Sequence, residues 1–232
     1  MLIDKIVDRA KHWSTRLLSY AGRLQLLKSI SFAITNYWLQ CIPLSKFVIK
    51  KINSICRTFL WTGSAETSKK SPVAWSNVCK PIINGSLNVI DLKIWNTVTM
   101  LKLLWNLCRK ADSLWVRWVH TYYFKNKNVM EENVKPNSTW IMKAILNNRE
   151  KVSSIQGKWE DMMMKERFCM TDIYMELRKK DGEVMPWRKL MYCNAARPRA
   201  VMTLWLTCHQ KLATKTRLVR YGMVANNTCC FL

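Results

Sequence analysis

Three sets of residues in this 232-residue chain have types and spacings that could do chemistry. Cys208 and His209 would supply a thiol nucleophile and an imidazole base, but neighbouring side chains on a helix diverge, so they are not expected to act as a pair. Cys229 and Cys230, in NNTCCFL, could ligate zinc. A closed structural site needs a second thiolate about three residues on and two further ligands. Here the third position is Leu232, and Cys208 and His209 stand at the wrong spacing upstream. The third set is cationic and larger: Lys46, Lys50, Lys51 and Arg57 in one short stretch, then Arg197, Arg199, Lys211, Lys215, Arg217 and Arg220. Lysine and arginine so grouped neutralise phosphates, and the expected partner is the backbone of RNA or DNA, gripped without regard to sequence.

Other chemistries find little support. A hydrolase needs a nucleophile beside a base, a glycosidase a carboxylate pair, and a nucleotide enzyme a glycine-rich phosphate loop or metal-binding acids. The acids crowd into residues 126–185, where 10 of them stand among 11 bases, as on a solvated helical surface. No catalytic residue and no bound cofactor is expected.

Charge sets the stage for the cations. Lys and Arg number 38 against 15 Asp and Glu, a formal +23. Residues 1–80 carry 13 basic and 3 acidic groups, and residues 186–232 carry 8 basic groups and no acid, so two basic ends flank a balanced middle. Solubility alone tolerates mixed signs and asks for no acid-free stretch; a polyanionic partner explains one better. With 49% hydrophobic residues, the chain has the material for a core, which excludes a disordered basic tail. Nine scattered cysteines and a charged N-terminal stretch (Asp4, Lys5, Asp8, Arg9) fit an intracellular protein with no signal peptide. The longest uncharged run, residues 29–45, is too short and too polar to span a bilayer, so no membrane association is expected.

The elements that must position these residues read as mainly α-helical, with minor short strands. Leu2, Ile6, Val7, Trp13 and Leu17 share one stripe. Ser19 caps a helix carrying Leu24, Leu27, Ile30 and Ile34, which Pro43 ends. Ser45 caps the next, with Val48, Ile52, Ile55 and Phe59 inward and the four cations outward. Residues 62–72 (TGSAETSKKSP) read as a loop. Asp91 and then Ser113 cap further helices, Ser138 another, and the short apolar segments Val73–Trp75 and Leu87–Ile90 are the candidate strands. The polar stretch 125–138 marks a boundary between a helical unit at 1–124 and a second small helical unit at 139–232, where Trp187, Met202, Trp205 and Leu206 would form a core. Most of the twelve tryptophans should be core, with Trp61 and Trp187 the more open to stacking on bases.

An ordered series of motifs goes further. LSYAGRLQLLKSI (18–30), FLWTG (59–63), VAWSNVCKP (73–81), VIDLKIWN (89–96) and LLWNLCRKADSLWVRWVHTYY (103–123) resemble the region downstream of the polymerase domain in plant non-LTR (LINE-type) retrotransposon reverse transcriptases. MPWRKL (185–190), Arg197-Pro198, Leu204–Leu206, Lys211–Leu218 and Tyr221-Gly222 are similar to the zinc-binding domain of the same polyproteins. The resemblance implies a thumb- or connection-like helical region at 1–124, a zinc-binding-like region at 139–232, and a nuclear location.

Departures from the family shape the expectation. The paired catalytic aspartates of the polymerase lie upstream of Met1, so reverse transcription is not expected of this chain alone. A Gly-Gly-Leu-Gly turn stands here as Gly85, Ser86, Leu87 and Asn88, without two of the glycines that a left-handed backbone would favour. Cys229 matches a zinc-ligand position, but its partner position is Leu232, so the site looks truncated and no metal is assigned. The expected function is that of a non-catalytic C-terminal part of a retrotransposon reverse transcriptase that binds nucleic-acid backbone. Two alternatives stand beside it: a helical module that once packed on a polymerase core or self-associates, and the inert product of a decayed element.

Overall fold

A computed structural model describes residues 2–12, 18–64, 71–125, 127–131, 136–178, 184–187, 189, 197–212, 214 and 219. The order is α1 (Leu2–His12), α2 (Tyr20–Leu26), a π-helical turn (Leu27–Ser31), α3 (Phe32–Cys41), α4 (Lys46–Thr62), α5 (Trp75–Val78), α6 (Leu92–Cys108), α7 (Leu114–Val119), a second π-helical turn (His120–Phe124), α8 (Trp140–Asn147), α9 (Arg149–Ser153), α10 (Gln156–Met164), α11 (Met170–Arg178) and α12 (Pro198–Cys208). The fold is mainly α.

Helix starts follow the capping residues in the sequence. Ser19, Ser45 and Ser113 each accept a hydrogen bond from the backbone N–H three residues on, and Asp91 accepts from Lys93 and Ile94. The fifth cap is displaced by one: Thr139, not Ser138, accepts from the Met142 N–H, while Ser138 is buried. Gly63 closes α4 in the left-handed conformation, φ 75°, with its N–H on the Phe59 carbonyl. The expected short strands do not form among the described residues. Trp75 opens the single-turn α5 instead, and what remains of the pairing is one hydrogen bond from Val89 N–H to the Val78 carbonyl, 3.4 Å.

Two hydrophobic cores result. The first surrounds α6, whose Val98, Leu101, Leu104 and Leu107 are fully buried against Val119, Ile145, Met162 and Ile173. The second surrounds α4, where Ile52, Phe59 and Leu60 meet Ile6, Val78 and, from α12, Met202, Trp205 and Leu206. Each core therefore draws side chains from both sides of residues 125–138. Burying a phenylalanine as completely as Phe59 is worth about 3–5 kcal/mol against alanine, so α4 is an anchored platform.

Tryptophans serve these cores as expected at Trp95, Trp105 and Trp205; the Trp105 indole N–H donates to the Met162 carbonyl at 3.0 Å. Trp61, expected to be open, is buried and stacked on Trp205, ring centroids 6.4 Å apart and 13° from parallel. Val116 and Val119 face inward, whereas Leu114 and Trp118 point to solvent, 84% and 52% exposed.

Candidate nucleic-acid interface

The sequence of α4 puts Lys46, Ile49, Lys50, Asn53, Ser54 and Arg57 three or four residues apart, so they form one stripe. The first turn of α6 sets Lys93, Asn96 and Thr97 opposite, and between the two helices lies a groove of about 610 Å³ closed by Trp75 and Asn148. Its lining carries four cations, five amide or hydroxyl side chains able to donate and accept, and no carboxylate.

Local interactions hold the walls. The Asn96 side chain accepts from the Leu44 N–H at 2.9 Å and donates to the Leu44 carbonyl at 3.1 Å, fastening the segment before α4 to α6. Trp75 Nε1–H donates to Asn53 Oδ1 at 3.2 Å, and Asn148 is held by the Ala144 carbonyl at 2.7 Å. The cations sit against ordinary helix rules. Lys46 and Lys50 are a like-charged i,i+4 pair, which costs about 0.2–0.5 kcal/mol, and they stand in the first turns of α4, where the helix dipole is positive and no acid offsets it. Arg57 has a buried Nε with no hydrogen-bond partner. A segment that accumulates positive potential at a cost to its own stability is suited to an anion that supplies the missing charge.

The structure separates the other expected contacts. Lys51 is exposed on α4 outside the groove lining. Arg199 lines a different pocket, with Arg23, at the junction of α2, α4 and α12. Arg197 precedes α12 and Lys211 follows it, both exposed. Lys215, Arg217, Arg220, Cys229 and Leu232 lie outside the described residues. Two cations were missed by sequence reasoning: Lys93 reads as an ordinary first-turn lysine until α6 is seen to face α4, and Arg23 lies within an apolar-looking helix.

His209 is accounted for by packing. Its Nε2 lies 3.3 Å from the Gly85 carbonyl, which also accepts from Trp205 Nε1–H at 2.8 Å, and the ring stands edge-on to Trp187 and Trp205. Burial pushes its pKa below the ordinary value, and the positive charges of Lys211 and Lys80 push the same way, against the Gly85 hydrogen bond. Beneath it, Gly85 adopts φ 66° and carries the Trp187 ring on its Cα. Of the two replaced glycines of that turn, only the second position needs a left-handed backbone: Asn88 takes it at φ 53°. Asparagine is the side chain that best tolerates this region, and Asn88 Oδ1 also accepts from Arg178 Nη1 at 2.7 Å. Arg178 is itself buried, with its other terminal nitrogen on the Cys79 carbonyl. The α11 ring Tyr174 packs on Trp95 and receives the Asp91 N–H on its hydroxyl at 2.9 Å.

Among the described residues no three His, Cys, Asp or Glu side chains gather where a metal could bind. Nor is any described helix long and apolar enough to cross a membrane.

Comparison with known proteins shows what parts of the chain resemble. Residues 168–232, which include α11 and α12, match the family described as zinc-binding in reverse transcriptase. Two proteins of Arabidopsis thaliana are similar over longer stretches. One, named "Putative ribonuclease H protein At1g65750", is 29% identical over 139 residues, 60% of this chain. The other, named "Uncharacterized mitochondrial protein AtMg00310", is 29% identical over 122 residues, 52% of this chain and 79% of its own length. The matched stretch spans only 22% of the first of these relatives. Residues 168–232 thus resemble a reverse-transcriptase zinc-binding domain, and the longer similarity is to these two plant proteins.

Proposed function

We propose that the chain is a non-catalytic, nucleic-acid-binding part of a plant retrotransposon reverse transcriptase, engaging the phosphate backbone of RNA or DNA in the α4–α6 groove. The observation that carries this reading is the clustering of Lys46, Lys50, Arg57 and Lys93 along one groove whose lining contains no acid. Each lysine brought onto a phosphate releases condensed counterions, so log affinity should fall linearly with log salt. Anisotropy of a labelled RNA hairpin and a matched DNA duplex, titrated across salt, tests it. Wild-type protein should bind both, and a Lys46→Glu/Lys50→Glu variant should show a slope smaller in magnitude by about 2. Absence of binding at low salt, from a chain shown to be folded, overturns the reading.

A second reading has its own observation. Leu114, Trp118 and Tyr122 follow one another at i, i+4 and i+8 on α7 and the π-helical turn after it, and are 84%, 52% and 64% exposed. The Trp118 and Tyr122 rings are stacked 5° from parallel, 5.5 Å apart. Such an apolar ladder suits a protein surface, either a polymerase core or a second copy of this chain. Sedimentation in high salt without nucleic acid checks it: self-association that Trp118→Ser abolishes supports this reading, and a monomer that captures no polymerase domain in the same buffer removes it.

A further inference from the structure

The pocket at the junction of α2, α4 and α12 has a composition unlike the rest of the surface. It measures about 560 Å³ and is lined by Ser19, Tyr20, Arg23, Trp61, Arg199 and Thr203 among others, again with no carboxylate. Two guanidinium groups, permanently charged at any physiological pH, therefore flank one cavity. Arg23 is pre-positioned: its guanidinium lies 5.5 Å from the centre of the Tyr20 ring, and one terminal nitrogen reaches the Leu60 carbonyl at 3.5 Å.

The second observation is independent of charge. Trp61 is 7% exposed, fixed between Tyr20 at 5.8 Å and Trp205 at 6.4 Å, yet its indole N–H is buried with no hydrogen-bond partner. Trp105, Trp95, Trp75 and Trp205 all place theirs on an oxygen. A buried donor left unmade is costly, and Trp61 is one of the residues lining the pocket that also takes in the two arginines. An acceptor-rich anion with several oxygens would serve the indole and both guanidinium groups at once. The volume exceeds what a lone phosphate fills, and the Tyr20 ring, 41% exposed at the mouth, offers a face for a base to stack on.

We infer that this pocket seats a single phosphate group of a nucleic-acid strand, held by Arg23, Arg199 and the Trp61 indole N–H, with the attached nucleotide against Tyr20. This rests on the reading that the chain engages nucleic acid, but it assigns a site separate from the α4–α6 groove and specific for one phosphate rather than for a length of backbone. The phosphate is a strand-end monoester or an internal diester, and inorganic phosphate serves as the control.

The test is calorimetric titration of the full chain with three probes at fixed salt: inorganic phosphate, a short 5′-phosphorylated oligothymidylate, and the same oligomer with a 5′-hydroxyl. Arg199→Ala removes an exposed side chain from α12, and Trp61→Phe keeps a packed ring while deleting the N–H; matching circular dichroism shows each variant folded. Losing one charge-assisted contact should weaken the recognised probe about tenfold in Arg199→Ala and severalfold in Trp61→Phe. Loss confined to the phosphorylated oligomer places a strand end in the pocket, equal loss for both oligomers an internal diester, and loss for inorganic phosphate alone overturns the assignment to a strand. Wild-type affinity of both variants for all three probes overturns the inference. Because Lys46→Glu/Lys50→Glu is titrated in parallel, failure of the pocket with an intact groove effect, or the reverse, separates this inference from the groove reading.

Discussion

The six-membered ring of Trp187 lies on the Cα of Gly85: a Cβ added there would come within 2.7 Å of Trp187 Cζ2. Two motifs a little over a hundred positions apart in the chain, at Gly85 and at Trp187 of MPWRKL, therefore meet. The contact explains why one glycine of the turn is retained while the others are replaced. Gly85 needs both its positive φ and its missing side chain.

Gly85→Ala should consequently destabilise the protein by about 2 kcal/mol or more, combining left-handed strain with a collision against a half-buried indole. Urea unfolding followed by far-ultraviolet circular dichroism measures this. A midpoint unchanged from wild type would mean that the Trp187 contact is not formed in solution.

Asn88 is a contest between two effects. Asn88→Gly relieves left-handed strain worth about 1 kcal/mol, but it removes one of the oxygens that hold the buried Arg178, a charged hydrogen bond worth about 1.5–3 kcal/mol. The second is larger. Stability should fall in the order wild type, Asn88→Gly, Asn88→Ala, the last losing the bond and keeping the strain. If Asn88→Gly proves more stable than wild type in the same unfolding assay, the Arg178 bond contributes less than this ledger gives it.

Within α4 the groove makes a contrast that charge alone does not. Lys46, Lys50 and Lys51 are exposed neighbours, yet only the first two line the groove. Lys93→Glu and Lys50→Glu should each cut the salt slope of nucleic-acid binding by about 1, and Lys51→Glu by much less. Equal effects at Lys50 and Lys51 would show that a diffuse field, and no particular groove, does the binding.

His209 sets a pH dependence of known sign. Its pKa is lowered in the folded chain, chiefly by burial, so the unfolded chain takes up the proton first as pH falls. The stabilisation is therefore present above the unfolded value near 6.5 and is lost as pH falls toward the lower folded value. Thermal unfolding of wild type against His209→Gln from pH 7.5 to 5 should show the difference between them shrinking as the solution is acidified; a constant difference would contradict it.

Cys79 offers a check on the core. Burial, assisted by the Asp91 carboxylate, pushes its thiol up to about 12, and burial raises Cys108 to about 11. The thiolate is the reactive form, so in native protein at pH 8 both should resist iodoacetamide and become labelled only on unfolding. Peptide mass spectrometry after timed alkylation reads this directly, and rapid native labelling of Cys79 would mean that the turn carrying Asn88 parts readily from Arg178 of α11.

What the sequence made legible was local. Ser19, Ser45, Asp91 and Ser113 announce their helices because a cap is a contact between residues three apart, and the inward stripe Ile52, Ile55, Phe59 is legible for the same reason. The Thr139 cap was missed by one residue, since serine and threonine are adjacent there and either can accept the bond. Pairings across the chain were not legible. Nothing in KIWN says that Lys93 faces Lys50, and nothing around Trp61 says that Trp205 will cover it from 144 residues on. The α4 cations were found as a set because they share a helix surface, but periodicity resolves an arc, not which side of it a neighbour will wall in.

The mixing of the two cores constrains how this chain can be made. Trp205 covers Trp61, and Tyr174 and Arg178 close over Asp91, Cys79 and Asn88. Until the residues beyond 138 have been synthesised, α4 and α6 each expose an apolar flank whose cover has not emerged. Contacts of such long sequence separation slow folding and leave sticky intermediates. During that interval the uncovered flanks of α4 and α6 are the surfaces most open to aggregation.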